Sequence, residues 1–286
     1  MCKMYIIVVM KMAAFKVAAL DRFPEVGECR PGGNAMNQSV RFRQMGWEAS
    51  FVGAVGTDGE GELLVEALRA YGVDCTRASR VSGETASNRL TIDAQGERHE
   101  APGAWQGGVY ETYRLSDDDW AFLETADLWV SHANHTDYLE ALERKNRQFF
   151  AVDFLHLRDW ELLNRSLDVV DIAFFGGTPD MEGPLADIAK ARDALIVLTL
   201  GSEGSIAFQG DRVFRQSALP LDKVVDTTGC GDAFQAAFTD CFYRFLDVPK
   251  ALVAGAREGQ KAAASLGAMP WPDALKSDAQ SIMGAR

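Results

Sequence analysis

The sequence predicts an α/β fold: a doubly wound, mostly parallel sheet flanked by helices, with a small antiparallel β lid. Three observations carry this. Short runs rich in Val, Ile, Leu and Phe recur along the chain, nearly continuous in hydrophobicity, as strands buried on both faces of a parallel sheet are. Amphipathic stretches at helical spacing alternate with them. Two regions with more turn residues and polar alternation interrupt that order, which marks them as an insertion at one end of the α/β body.

Taken in order, the strand-like runs fall at residues 15–20, 51–56, 128–132, 149–154, 171–175 and 195–200, with a shorter one at 223–225. Helical patterns fall at 37–45, 60–70, 137–145, 184–192, 232–245 and 250–266. In the 232–245 pattern, Ala233, Phe234, Ala237, Phe238, Cys241, Phe242 and Phe245 share one face. The lid is assigned to residues 21–31, which carry Pro24, Gly27 and Pro31, and to residues 78–112. Within the latter, 87–93 and 97–100 flank the turn Ala94-Gln95-Gly96 as two strands. Residues 205–209 and 212–216 flank Gly210-Asp211 as a hairpin. No internal repeat and no linker rich in Pro, Ser or charge divides the 286 residues, so one domain over 13–286 is expected. Residues 1–12 are read as a leader or ragged N-terminus. The apolar run from Tyr5 to Met10 is shorter than the roughly 7–15 residues of a signal core and lacks a small-residue cleavage site.

Charge narrows the function. Lys and Arg total 29 against 41 Asp and Glu, a formal charge of −12, and no basic run occurs. A nucleic-acid binder needs clustered positive charge, so no nucleic-acid partner is expected. An acidic chain can still hold an anion, through local backbone donors or a metal. No apolar run approaches the roughly 18 residues of a membrane helix, so no membrane partner is expected either. The five cysteines are scattered and form no CxxC pair, as free thiols in a reducing cytoplasm would be.

Three glycine-rich segments carry the chemistry. Asp226-Thr227-Thr228-Gly229-Cys230-Gly231-Asp232 opens the aromatic helix. Unpaired amides at a helix start, with the positive end of its dipole, attract an anion. Asp232 at this mouth would repel a phosphate; its presence there is explained if it takes a proton from a hydroxyl that attacks the phosphate. A helix cap is the plainer reading of the same residue. The loop lacks the Gly-Lys-Ser/Thr of a Walker A motif. Thr199-Leu200-Gly201-Ser202-Glu203-Gly204 leaves a predicted parallel strand where nucleotides bind in such sheets, although a tight turn explains it as well. Pro31-Gly32-Gly33-Asn34-Ala35-Met36-Asn37 joins lid to helix, and its two Asn amides, one helical turn apart, suit sugar hydroxyls.

These segments, in this order with Asp93…Gly96-Glu97-Arg98 between them, resemble the ribokinase-like (PfkB) carbohydrate kinases from about Val17 to Pro270. Within that family the chain looks most like the fructoselysine 6-kinase branch. That likeness rests on Val55-Gly56-Thr57-Asp58, Ala151-Val152-Asp153-Phe154…Trp160, Asp171-Ile172-Ala173-Phe174, residues 197–208 and Arg215-Gln216. The resemblance implies transfer of the γ-phosphoryl of ATP to a primary hydroxyl of a ketose or Amadori sugar. Asp232 would be the base, and the amides of Gly229, Cys230 and Gly231 the anion hole. Thr199, Gly201, Ser202, Gly204 and Thr228 would line the nucleotide site; Asp21, Gly33, Asn34 and Asn37 would hold the sugar. Mg²⁺ would accompany ATP, with K⁺ at Asp226 and the loop at Gly267 as in some relatives, and the lid would pair two chains into a homodimer. A fructokinase, ribokinase or nucleoside kinase of the same family, or a sugar or nucleotide sensor without catalysis, are the alternatives.

Three departures qualify the resemblance. Cys230 stands where the family usually has Ala; its amide is retained and its thiol is read as buried and inert. The family's Asn-x-x-Glu element is replaced by Gly176-Gly177-Thr178-Pro179-Asp180-Met181-Glu182, leaving Asp180 or Glu182 to serve a metal through water. The Gly-acidic pair ahead of the sugar-binding Asp is replaced by Lys16-Val17-Ala18-Ala19-Leu20-Asp21. His132 and His135 are read as a solvated loop pair, and Trp105 and Trp129 as core.

Overall fold

The computed structural model describes residues 9–284. In chain order its strands are β1 (Lys11–Lys16), β2 (Ala19–Phe23), β3 (Glu28–Gly32), β4 (Glu48–Gly56), β5 (Asp74–Val81), β6 (Ser87–Ile92), β7 (Arg98–Gln106), β8 (Leu128–His132), β9 (Phe149–Asp153), β10 (Ile172–Gly176), β11 (Leu195–Thr199), β12 (Ser205–Gln209) and β13 (Arg212–Gln216). The helices are α1 (Asn34–Gln44), α2 (Gly59–Ala70), α3 (Val109–Thr112), α4 (Asp117–Leu123), α5 (Tyr138–Arg144), α6 (Trp160–Ser166), α7 (Glu182–Arg192), α8 (Cys230–Phe245), α9 (Val248–Ala262) and α10 (Lys276–Gly284).

Nine strands form the main sheet in the order β13-β12-β11-β10-β9-β8-β1-β4-β5. All its pairings are parallel except those of β12 and β13, which return as the hairpin expected from Gly210-Asp211. From β1 the chain builds outward to β4 and β5, then crosses back to β8. The order therefore reverses at β1, and in doubly wound sheets ligands bind outside the carboxyl ends of the strands at such a point.

Alternate side chains of each buried strand serve opposite faces. Ala14, Phe51, Val130, Ala151, Phe174 and Val197 pack against Phe234, Phe238 and Phe242 of α8. Phe15, Trp129, Phe150, Phe175 and Ile196 pack against Trp120 and Leu123 of α4, Leu163 of α6 and Leu185 of α7. Local signals start these helices: Ser116 and Asp119 form a reciprocal capping box on α4, and Asp58 and Asp247 cap α2 and α9. Among the described residues no helix is long and apolar enough to cross a membrane.

The lid is a four-stranded sheet in the order β3-β2-β6-β7, with antiparallel outer pairings and a parallel pairing between β2 and β6. Its limits differ from those expected. Residues 78–81 belong to β5, which pairs with β4 in the main sheet, so the second lid segment begins beyond them. The apolar run at 15–20 is not one strand: β1 ends at Lys16 and β2 begins at Ala19. Every residue from Met12 to Asp21 is buried, Lys16 included, so the change of sheet leaves no break in burial. Lys11 and Met12 lie in β1, inside the fold and not in a leader; the first eight residues, with most of the run from Tyr5 to Met10, fall outside the described part. Residues 223–225 form no strand; Val225 N–H donates to Ala263 O at 2.8 Å instead.

Candidate active site

A cleft of about 1230 Å³ opens at the carboxyl ends of β1, β8, β9, β10 and β11, lined there by Val17, His132, Asp153, Gly176 and Thr199. The lid roofs it. Ala19 and Asp21 of β2, Asn88 of β6, and Arg98, Glu100 and Trp105 of β7 face the same space.

Asp232 lies on the first turn of α8, at the cleft floor. Its oxygens accept from Asn34 Nδ2 at 2.8 Å and Asn37 Nδ2 at 2.6 Å. Asn34 and Asn37 are one turn apart on α1, so both reach the one carboxylate. Because a carboxylate only accepts, the amide nitrogens must face it. Both Oδ1 atoms remain buried without a partner. Burial pushes the Asp232 carboxyl up to about 6; the two amide bonds and Arg98 pull it back, and Asp153 pushes it further.

Gly229 makes the mouth of α8. It takes a left-handed φ of 74°, and a Cβ there would run into Ala268. Of the three amides expected to form an anion hole, that of Cys230 is already donated to Thr227 O at 3.2 Å. Gly229 and Gly231 donate to no acceptor among the described residues, as first-turn amides commonly do not. Burial pushes the Cys230 thiol up to about 12, which keeps it a neutral, inert thiol. Thr227 fastens the lid to this loop: its N–H donates to Gly96 O at 3.0 Å, and its Oγ1 accepts from Arg98 N at 3.0 Å.

Asp21 sits buried in the roof, and its carboxyl fills the space a Cβ on Gly32 would need. Burial raises it to about 7 against the pull of Arg98, with Asp232 and Asp226 adding to the rise. Gly33 (φ 91°) lies where a Cβ would come within 2.9 Å of the backbone at Val17 and Ala19. The two glycines thus serve close approach of lid and helix. Thr199 and Thr228 line the cleft; Gly201 and Ser202 lie in an exposed 3₁₀ turn that the half-buried Gly204 ends, and none of the three is among the lining residues.

The expected metal carboxylates are otherwise engaged. Asp226 is fully buried and accepts from Thr228 N at 2.8 Å and Gly267 N at 2.6 Å, so it ties two loops together. Asp180 is forked to Arg158 at 2.7 and 3.2 Å and held at about 2 by that guanidinium. Glu182 pairs with Arg215, and neither residue lines the cleft. Among the described residues no three His, Cys, Asp or Glu side chains are grouped to hold a metal.

Other residues enter the site without having been singled out. Asp153 ends β9 in the cleft, its carboxyl raised by burial, with Oδ1 accepting from Leu155 N at 2.7 Å. The signal was present in the sequence: a lone charge at the carboxyl end of an apolar strand. His132 is buried and His135 half-buried, so neither is a fully solvated loop residue. Burial pulls His132 down to about 4 and His135 well below its ordinary value, so both rings are neutral at pH 7. Trp129 is core, as expected, but Trp105 is 37% exposed and faces the cleft. Beneath this wall Lys16, at φ 98°, buries its ammonium against Asp137 Oδ2 (2.5 Å) and Tyr113 O (2.7 Å). The φ suits glycine, the residue the family usually carries near this point.

Residues 19–274 match the family described as pfkB family carbohydrate kinase. The chain belongs to that family. This pfkB-family protein is therefore an ATP-dependent sugar kinase. It is 30% identical over 270 residues to the fructosamine kinase FrlD of Bacillus subtilis, covering 91% of this chain and 93% of that one. Fructoselysine 6-kinase of Escherichia coli is 27% identical over 242 residues, covering 82% and 90%. Among solved structures, Arabidopsis thaliana ribokinase complexed with ribose and ATP superimposes with a TM-score of 0.75 at 21% identity, covering 98% of this kinase and 100% of that chain. That likeness establishes the ribokinase-like fold.

Proposed function

We propose that this kinase phosphorylates a primary hydroxyl of an amine-bearing ketose, an Amadori sugar of the kind named in its fructosamine and fructoselysine kinase relatives. The observation that supports the catalytic part is the placing of Asp232: a carboxylate held by two amides at a helix mouth whose glycine amides are free. Asp232 takes the hydroxyl proton as the sugar oxygen bonds to the γ-phosphorus. The bond to the β–γ bridging oxygen breaks, and ADP leaves with that electron pair. Amides of Gly229 and Gly231 and the guanidinium of Arg98, among the described residues the one Lys or Arg side chain lining the cleft, stabilise the moving charge. Asp21 and the free Oδ1 atoms of Asn34 and Asn37 accept from sugar hydroxyls. Thr199 and Thr228 border the nucleotide.

The donor set does not fit a resident metal; Mg²⁺ of that kind enters on ATP phosphates, needing at most one or two carboxylates. Free thiols at Cys29, Cys75, Cys230 and Cys241 support a cytoplasmic setting. A homodimer through the lid would use β7, whose residues are exposed apart from Ala104. The opposite edge, β3, is covered by the C-terminal segment, where Trp271 Nε1 donates to Cys29 O at 2.7 Å. A coupled ATP-consumption assay over ketoses, Amadori sugars and nucleosides tests the reading: turnover is expected with Amadori sugars. Measurable binding with no ATP consumption for any compound would make the chain a sensor instead.

A further inference from the structure

The rim of the cleft under the lid has a composition that the phosphoryl chemistry does not use. Among the described residues, six carboxylates line the cleft (Asp21, Glu97, Glu100, Glu111, Asp153 and Asp232) against the single arginine, Arg98. For a site that receives a polyanionic nucleotide this excess is costly unless something cationic also enters. Part of it lies at the floor, with Asp232 and Asp153. Of the remainder, Asp21 is buried in β2 and Glu97 accepts from Thr227 Oγ1 at 3.3 Å, which leaves Glu100 and Glu111 at the end of the lid that carries Trp105 and Tyr110.

That end is a connected set. Glu100 accepts from Asn88 Nδ2 at 3.1 Å. Asn88 is paired in register with Trp105, and Trp105 meets Tyr110 edge to face at 5.8 Å between ring centroids. Glu111 follows Tyr110 and folds over Gly107, where its carboxylate occupies the space of any Cβ. Glu100 shares Arg98 at 3.4 Å, whereas the Glu111 carboxylate has no ion-pair or hydrogen-bond partner among the described residues. One buried group points the same way. Asn88 is 8% exposed, its nitrogen is committed to Glu100, and its Oδ1 has no donor. A carboxylate without a cation, a buried amide oxygen without a donor and a partly exposed indole face are all acceptors or cation-stabilising surfaces. A neutral hydroxyl would satisfy one of them. An ammonium, with several N–H donors and a positive charge, satisfies all three.

We propose that Glu111, with Glu100, Asn88 Oδ1 and the Trp105 ring, forms a cation subsite that binds the protonated amine of the sugar substrate and sets the preference for amine-bearing over neutral ketoses. The inference rests on the sugar-kinase reading above and adds the residues that select the amine. The test measures kcat/KM for a fructosyl-amine and for fructose with the full-length wild type, Glu111→Gln and Trp105→Leu. Wild type is expected to favour the amine, with a preference that falls as salt rises. Glu111→Gln, an isosteric change at an exposed position, is expected to lower the amine-to-fructose ratio tenfold or more, and Trp105→Leu to lower it severalfold. A ratio unchanged in Glu111→Gln, or a wild type that favours fructose, overturns the subsite while leaving the kinase reading intact. Failure of wild type to phosphorylate either sugar overturns the kinase reading itself.

Discussion

Asp232 stands between opposed influences. Burial favours its neutral form, and the amides of Asn34 and Asn37 favour the ionised form, leaving the carboxyl at about 6. A base must be ionised to accept a proton, so kcat/KM should fall about tenfold per pH unit below about pH 6. Asn37→Leu removes a donor to the charged form and should move that limb to higher pH; a pH–rate profile of the two proteins checks both statements. Asp21 carries a related cost. Its folded value of about 7 lies above the unfolded 3.8, so the native state binds the extra proton and stability is lost as pH rises through that window. Asp21→Asn should therefore raise Tm at pH 8, by about 2–4 °C per kcal/mol recovered, and raise it less at pH 5, where only part of the window has been crossed, while raising KM for the sugar. At this scale the sequence was partly legible. Asp232 and Asp21 stood in recognisable patterns. Asn34 and Asn37 were also visible, but as sugar ligands, because nothing in the spacing shows that their amides turn toward Asp232.

At the scale of elements, the joint between β1 and β2 carries the least visible feature. In sequence Lys16 falls inside the apolar run read as one strand over residues 15–20. In the fold it is 1% exposed and paired with Asp137, which is 0% exposed, so the end of β1 is bolted to the segment between β8 and α5. Thr136 and Tyr113 O complete its shell. Breaking a buried pair costs about 3–5 kcal/mol where the remaining charge is bare; Asp137 keeps Arg114 Nη1 at 3.4 Å, so Lys16→Met should cost less than that range. The double variant Lys16→Met/Asp137→Leu should recover most of it, as measured by denaturant unfolding. Helices and core strands were legible because burial imposes a period on them, as the shared face of α8 shows. The lid was harder. Its strands are short and polar, β5 continues into it without a break in composition, and the run from Met12 to Asp21 is buried through a change of sheet. Pairing of that kind is long-range and leaves no local period.

For the whole molecule, the overall charge and the site now fit together. On the proposed reading, a chain with a formal charge of −12 meets a phosphorylated nucleotide with backbone amides at the mouth of α8 and with Arg98 of the lid. The lid is tied to that loop through Thr227. Its open edge at β7 should give a mass of two chains by sedimentation at micromolar concentration; a single-chain mass would remove the lid-paired dimer. Pro102 supplies no donor to that edge, so only part of β7 would be available. The central claim is that Asp232 removes the hydroxyl proton in an ATP-dependent transfer to sugar. It is tested most directly by the turnover of Asp232→Asn beside its affinity for ATP. The account predicts a kcat lowered by about 10²–10⁴ or more with ATP affinity within a few fold of wild type. An Asp232→Asn enzyme that turns over at the wild-type rate would contradict it.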